Sequence, residues 1–215
     1  SVILGLGINP GFLMDLLPAI LVAPFPEPES IAVTRRVDIA TRRIPLQEKV
    51  GLGLTVEEFQ RRKETTGIGH RGLGESIHLL GAALGLTWEK VETDVEPVLA
   101  EQEIATSTGI VPRGGVIGMR NWGHAHLGGL CRVRLDLLMA SGLEDPTDSV
   151  ELLGPPPFPV RIAAEGGVPG DRGTAHVLCA ALPRLRAVAP GLRTVLDLPG
   201  GVRGWWGSRS ATPSA

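Results

Sequence analysis

Residues 1–11 place glycines and one amide side chain where a strand is predicted to meet a helix. The apolar run 1–4 leads into Gly5, Gly7 and Asn9. Free backbone N–H groups and the positive end of a helix dipole point at such a turn, which is where α/β proteins bind phosphates and cofactor rings. The Asn9 amide adds a donor and an acceptor. The segment therefore predicts either a contact to a polar ligand or a plain strand-to-helix turn.

The same segment does not fit the dinucleotide-binding fingerprint G-x-G-x-x-G. Pro10 takes the third glycine position, and the stretch about 20 residues further on, where an acidic residue should end a second strand, is rich in proline. We therefore reject a complete nucleotide-binding fingerprint in this part of the chain.

A second group of polar side chains ends the predicted strand 30–40 and continues past it: Arg36, Asp38, Thr41, Arg42 and Arg43. Such a group indicates either surface ion pairs or an anchor for a small charged ligand. The segment 67–72 matches G-x-G-x-x-G before a helix, but no strand leads into it, so the match to a phosphate site is weak. Its His70 is placed either to reach a ligand or to remain a solvated loop histidine.

A third segment, residues 166–174, is a glycine-rich loop that leads into a helix capped by Thr174 or Asp171. With the opening turn, this gives two helix N-termini that follow glycine-rich loops, and both could face one ligand.

His124 and His126 have no Cys, Asp or Glu at short metal-site spacing, so no metal site is predicted.

Composition narrows the classes of partner. The formal net charge of −2 gives no reason to expect a nucleic acid or an anionic membrane. No apolar stretch reaches the roughly 20 residues of a membrane span, and the opening lacks a signal-peptide pattern, so a cytoplasmic location is expected. Cys131 and Cys179 lie in apolar periodic segments, which predicts buried, reduced thiols.

Hydrophobic periodicity predicts the elements that must position these groups. Helices are predicted over 11–22, 55–64, 73–84 and 174–188, and strands over 1–4, 30–40, 90–104, 116–124, 130–140, 149–153 and 158–164. Helices followed by a run of strands and one closing helix favour an α+β fold with a mixed, mostly antiparallel sheet. Residues 1–199 are predicted to form one domain, and residues 200–215 a flexible tail.

Taken together, the motifs resemble one known family. Residues 7–15, Gly-Ile-Asn-Pro-Gly-Phe-Leu-Met-Asp, resemble the signature that opens the C-terminal half of 2,4-diaminopentanoate dehydrogenases and related amine dehydrogenases. Further similar segments follow in the same order at 37–47, 68–73, 166–174, 181–184, 190–192 and 197–199. The resemblance covers about residues 2–199.

The resemblance implies an architecture like that of dihydrodipicolinate reductase. There, an N-terminal Rossmann domain binds NAD or NADP, and a C-terminal α+β domain supplies the substrate pocket and the subunit interface. It implies reversible oxidative deamination of a small amine or amino acid, with hydride passing to nicotinamide. Asn9, Pro10 and Gly11 would lie against the nicotinamide, and Arg36, Asp38, His70 and Thr174 would line the amine pocket.

The family places its catalytic residues in the nucleotide-binding domain, which would precede Ser1, so no catalytic residue is expected within these 215 residues. We expect the isolated chain not to turn over and to form a homodimer or a higher homo-oligomer through its sheet. The alternative is a non-catalytic protein that binds a small ligand or acts as a scaffold and derives from the same domain.

Overall fold

The structure, a computed structural model, describes residues 1–65, 67–69, 72–107 and 109–199. The predicted tail 200–215 lies outside these residues. In the described part the helices are α1 (Leu16–Val22), α2 (Ile44–Lys49), α3 (Val56–Thr65), α4 (Leu73–Leu84) and α5 (Gly170–Ala181). The strands are β1 (Val2–Leu4), β2 (Ser30–Asp38), β3 (Lys90–Leu99), β4 (Ile104–Thr106), β5 (Gly109–Val111), β6 (Val116–Leu127), β7 (Leu130–Ala140), β8 (Thr147–Leu153), β9 (Val160–Glu165) and β10 (Gly191–Arg193).

One six-stranded sheet organises the protein, in the order β3-β6-β7-β2-β8-β9. Its strand pairs are antiparallel except for β2 and β7, which run parallel. Two small sheets accompany it: β1 pairs with β10 in parallel, and β4 with β5 antiparallel. The predicted α+β class with a mixed, mostly antiparallel sheet is confirmed.

The core lies between one face of this sheet and the helices. Alternate residues of β2 and β7 are buried, among them Val33 and Leu135, as the alternating pattern predicts. Helix α4 packs on β3, β6 and β7, and its apolar stripe of Leu73, Ile77 and Leu80 is fully buried. The face of the sheet that points toward α4 is therefore the face that shapes any enclosed site.

Two predicted helices have different bounds. The helix predicted over 11–22 begins only at Leu16: Gly11 has a φ of 122°, which a right-handed helix does not allow, and Asp15, with a φ of −140°, is the N-cap. The helix predicted over 174–188 begins at Gly170 and ends at Ala181, ahead of Pro183, and a short 3-10 turn, Arg184–Ala187, follows. Its N-cap is Pro169, so neither Thr174 nor Asp171 caps it.

Other differences are local. The strand predicted over 90–104 ends at Leu99, next to a register shift, and a short hairpin of β4 and β5 follows it. Helix α2 and strand β10 were not predicted, since each is too short to show a period.

Cys131 is partly buried and Cys179 is exposed, so the prediction of two buried thiols is wrong. In the described part of the chain, no helix combines the length and the apolar character of a membrane span.

Strands β6 and β7 approach each other so closely at Gly118 that a larger side chain there should destabilise the protein. Gly118 pairs with Ala140, and a β-carbon at Gly118 would overlap the carbonyl oxygen of Met139 and lie 2.5 Å from the Ala140 α-carbon. We expect Gly118→Ala to lower the free energy of unfolding by about 2 kcal/mol or more, measured by urea denaturation of the full-length protein.

The matched control is Gly74→Ala in α4. A β-carbon at Gly74 meets no atom within 4 Å, so alanine there should raise the free energy of unfolding by up to about 1 kcal/mol. Equal effects of the two substitutions would contradict the close approach of the strands.

Candidate functional site

A buried ion pair joins the middle of the sheet to the loop before α5. Arg35 and Asp148 face each other across β2 and β8, with Arg35 Nε 3.4 Å from Asp148 Oδ1 and both side chains more than nine-tenths buried. Arg35 Nη2 donates a hydrogen bond to the Val168 carbonyl at 2.9 Å, and Asp148 Oδ2 accepts one from the Val168 N–H at 2.6 Å. Val168 is thus held to the sheet through both of its backbone groups.

Burial dominates the electrostatics of this pair. It raises the pKa of Asp148, while the nearby Arg35 guanidinium and the Val168 N–H act in the opposite direction. Burial lowers the pKa of Arg35, against the attraction of Asp148. A guanidinium stays charged throughout the physiological range, so the positive charge of Arg35 persists in the interior and requires a nearby anion.

Arg35 of this pair lines a cavity of about 160 Å³, here called the arginine cavity. Arg42 also lines it, and Arg42 Nε is buried with no hydrogen-bond partner among the described residues. The buried Gln47 of α2 fixes the turn that carries Arg42, because its Nε2 donates to the Arg42 carbonyl at 2.8 Å. The remaining lining residues are Ile8, Asn9, Val37, Leu46, Leu137, Met139, Gly170, Asp171 and Thr174.

The first turn of α5 closes the arginine cavity. A β-carbon at Gly170 would lie 2.8 Å from Arg42 Nη2, so the start of the helix lies close to the guanidinium. No side chain caps this helix N-terminus, whose free N–H groups favour a negative charge. Asp171, at the rim, pairs with the exposed Arg43 at 3.5 Å. Among the described groups, the charge of Arg42 is left without a paired carboxylate.

A larger cavity of about 780 Å³, here called the N-terminal cavity, lies on the other side of Asn9 and Thr174. These two residues line both cavities. The Thr174 hydroxyl accepts a hydrogen bond from the Ile8 N–H at 3.3 Å, which ties α5 to the opening turn. The other lining residues are Gly5, Leu6, Gly7, Pro10, Gly11, Glu75, His78, Leu79, Ala82, Leu192, Arg193, Thr194 and Val195.

A buried carboxyl group organises the opening turn. Asp15 is fully buried, and its carboxyl accepts hydrogen bonds from the N–H groups of Gly11 at 2.8 Å and Leu16 at 2.6 Å. Ser76 Oγ lies 2.7 Å from Asp15 Oδ2 and 2.8 Å from Asn9 Oδ1. Burial raises the pKa of Asp15, against these hydrogen bonds, which act to lower it.

The structure brings four of the seven residues predicted for the site together. Asn9, Pro10, Gly11 and Thr174 all line the N-terminal cavity. Arg36 and Asp38 do not reach either cavity, because side chains alternate along β2 and theirs lie on the face opposite to Arg35 and Val37. Arg36 Nε donates to the Asp145 carbonyl, and Asp38 Oδ1 accepts from the N–H groups of Ala40 and Gly142. His70 lies outside the described residues.

The residues that sequence reasoning missed are Arg35, Asp148, Asp15 and Ser76. Arg35 could have been recognised from the sequence, since it is the one charged side chain in the otherwise apolar row of β2. Among the residues that the structure describes, no group of three or more His, Cys, Asp or Glu side chains could hold a metal ion.

The buried ion pair predicts unequal effects for two carboxylates on one strand. Asp148→Ala leaves Arg35 charged and unpaired in the interior, and we expect a loss of about 3 kcal/mol or more in the free energy of unfolding. Glu151, also on β8, pairs with Arg161 at 3.1 Å in an exposed position, so Glu151→Ala should cost less than about 1 kcal/mol. Denaturant unfolding of both variants is the measurement, and equal losses would contradict the burial of the pair.

The raised pKa of Asp15 predicts a pH dependence of stability. The folded protein holds this proton to higher pH than the unfolded chain does, so stability falls as pH rises from the unfolded pKa through the folded one, and is constant above it. The wild type should therefore lose stability relative to Asp15→Asn in that interval, by up to about 1.4 kcal/mol per pH unit. Unfolding free energies of both proteins across this range provide the test. A difference that does not change with pH would contradict the assignment.

The sequence and the fold of this chain are similar to those of known proteins. Residues 12–208 match the family described as the 2,4-diaminopentanoate dehydrogenase C-terminal domain. The 2,4-diaminopentanoate dehydrogenase of Acetoanaerobium sticklandii is 32% identical over 206 residues, which cover 92% of this chain and 57% of that enzyme. The chain therefore spans less than two thirds of this relative's length.

A solved structure extends the likeness to the fold. The structure of amine dehydrogenase from Mycobacterium smegmatis matches with a TM-score of 0.78 at 20% identity, over 92% of this chain and 59% of that one. The family match covers most of the chain and agrees with the resemblance found in its motifs. This chain belongs to the 2,4-diaminopentanoate dehydrogenase C-terminal domain family.

Proposed function

We propose that this chain is the substrate-binding and oligomerisation part of an NAD(P)-dependent oxidoreductase that acts on the CH–NH2 group of a small amine or amino acid. The observation that carries the proposal is the shared wall of Asn9 and Thr174 between the arginine cavity and the N-terminal cavity. A substrate in the arginine cavity and a cofactor ring in the N-terminal cavity would then both contact these two polar side chains.

The arginine cavity supports a substrate that carries a carboxylate besides its amine. The Arg42 charge, the uncapped N-terminus of α5 and the buried Arg42 Nε without a partner all favour an anionic group. Arg35 contributes less, because Asp148 already compensates its charge. The carboxylate would bind Arg42, while the apolar side chains of Val37, Leu137 and Met139 would contact the carbon chain.

The N-terminal cavity supports contact with a nicotinamide ring. Its wall near Asn9 consists of glycines and Pro10, and a β-carbon at Gly11 would lie 2.9 Å from the Gly7 nitrogen, so the backbone itself forms the surface there. Asn9, Pro10 and Gly11 would hold the nicotinamide end, and a separate nucleotide-binding domain would hold the rest of NAD(P). When bound, NAD(P) supplies the hydride acceptor.

The face of the six-stranded sheet that points away from α4 supports oligomerisation. Its central strands β6 and β7 carry Arg120, Trp122 and Leu138 there, none of which is fully buried. A second copy packed on this face would bury Trp122 and Leu138. Light scattering after gel filtration should give a dimer or a larger assembly for the full-length protein, and a monomer would contradict this part of the proposal.

The alternative is a protein that keeps the two cavities to bind a small ligand but performs no redox chemistry. Calorimetry and a turnover assay on the full-length protein separate the two functions. Binding of amines without any reduction of NAD(P)+ would favour the alternative. The isolated 215-residue chain should show neither turnover nor micromolar binding of NAD(P)H by fluorescence.

The substrate assignment is tested with short aliphatic amines, each compared with and without a terminal carboxylate, by following NAD(P)H absorbance. Arg42→Met should raise the KM of the carboxylate-bearing amines about tenfold or more, because it removes a hydrogen bond between charged groups. The KM of the amines without a carboxylate should change far less.

The control is Arg161→Met, which removes an exposed arginine of β9 from its pair with Glu151. It should leave both classes of amine unaffected. An equal effect of Arg42→Met on both classes, or a preference of the wild type for amines without a carboxylate, would contradict the assignment.

A further inference from the structure

The buried amide of Gln47 holds the turn that leads into Arg42. Its Nε2 lies 2.8 Å from the Arg42 carbonyl oxygen, 3.1 Å from that of Ile39 and 3.3 Å from that of Ala40. A carbonyl oxygen is an acceptor only. Turning the amide would place its own oxygen against all three carbonyl oxygens, so these contacts fix Nε2 as the donor.

The other end of the same amide contacts the turn between β4 and β5. Ser107 Oγ lies 2.7 Å from Gln47 Oε1. An amide oxygen only accepts hydrogen bonds, so the Ser107 hydroxyl is the donor. As far as the structure describes residues 104–111, none of them lines the arginine cavity. Ser107 and Gln47 therefore connect a hairpin outside the cavity to a residue that lines it.

Arg42 needs this support because a like charge lies close to it. A β-carbon at Gly170 would lie 2.8 Å from Arg42 Nη2 and 3.8 Å from Arg35 Nη2, so both guanidinium groups approach the same point at the start of α5. The pKa of Arg35 is lowered by burial and, to a lesser degree, by the charge of Arg42. Repulsion between the two cations favours movement of Arg42 out of the cavity, and a firmly held backbone opposes it.

We propose that the β4–β5 hairpin, through Ser107 and Gln47, sets the position of Arg42 and with it the selectivity for a substrate carboxylate. This selectivity rests on the proposed function, in which Arg42 binds the carboxylate of the substrate. Ser107 and Gln47 are positioning residues, because they act on the substrate only through Arg42. The hydrogen bonds that carry the effect run from Ser107 to Gln47 and from Gln47 to the carbonyl groups of the turn.

The first experiment tests the position of Arg42 without any ligand. Gln47→Met keeps the length of the side chain but removes both of its hydrogen-bonding groups. In a crystal structure of this variant of the full-length protein, we expect the turn 39–42 to open and the Arg42 guanidinium to leave the start of α5. Gln60→Met, at an exposed position of α3, is the control and should leave Arg42 in place. An unchanged Arg42 in Gln47→Met would overturn the proposal.

The second experiment measures the affinity for butanoate, a short carboxylate that binds without turnover, by calorimetry of the full-length protein. Ser107→Ala should weaken this affinity about fivefold, because it removes one hydrogen bond of the chain. Ser107→Thr retains the hydroxyl and should restore the affinity of the wild type. The dissociation constant of NAD(P)H should be the same in all three proteins. If Gln47→Met does not fold, these two serine variants still carry the test.

A double-mutant cycle distinguishes a connected chain of contacts from two independent ones. Gln47→Met alone should weaken butanoate binding about tenfold or more. Because Ser107 acts through Gln47, adding Ser107→Ala to Gln47→Met should cause no further loss. Additive losses would overturn the proposed connection, and so would a parallel loss of NAD(P)H affinity, which would indicate a general loosening of the fold.

The proposed function and the positioning role fail separately. If the wild type shows no amine dehydrogenase activity but binds butanoate, and Arg42→Met abolishes that binding, the proposed function fails and the titrations still decide the role of Ser107 and Gln47. If the wild type does not bind butanoate, the selectivity is overturned. Equal butanoate affinities of Ser107→Ala and the wild type would overturn the role of the hairpin even in an active enzyme.

Discussion

The ion pair between Arg35 and Asp148 is the interaction on which the arrangement of the site depends. It links β2 to β8, and through the backbone of Val168 it fixes the loop that starts α5. The same loop leads into α5, whose Thr174 is in turn tied to the opening turn by the Ile8 N–H. A buried charge is costly unless it is paired and hydrogen-bonded. The hydrogen bonds of Arg35 and Asp148 to Val168 therefore hold this loop in one position.

The polar groups around the pair divide the enclosed space into two parts of different character. The arginine cavity is small and positively charged, and the N-terminal cavity is larger and mostly bounded by backbone and apolar side chains. Among the residues that the structure describes, Asn9 and Thr174 are the ones that line both cavities, and both have polar side chains. Each is oriented by a hydrogen bond from another part of the chain, since Ser76 contacts Asn9 and the Ile8 N–H contacts Thr174. The function that we propose is therefore concentrated at this wall.

The sequence predicted the sheet and most helices because the hydrophobic periodicity of these elements extends over enough residues to be recognised. It also singled out Asn9, since a glycine turn before a helix is a local pattern, whereas Thr174 entered the predicted site through the family resemblance. The interpretation of β2 favoured the polar group of Arg36 and Asp38 over the lone Arg35, although the alternation already placed Arg35 in the apolar row. The partner of Arg35 could not be predicted, because Asp148 comes opposite only through the register of β2 and β8. The Asp15 and Ser76 contact likewise joins two elements whose packing no local pattern records.

The parallel pairing of β1 with β10 has a consequence for how the protein is made. Residues 5–11 and residues 192–195 both contribute walls of the N-terminal cavity, although they lie near the two ends of the described chain. During synthesis from the amino end, the first wall must wait until nearly the whole domain has left the ribosome. Contacts between residues so distant in sequence form slowly, so we expect the pairing of β1 with β10, and with it this cavity, to form late in folding.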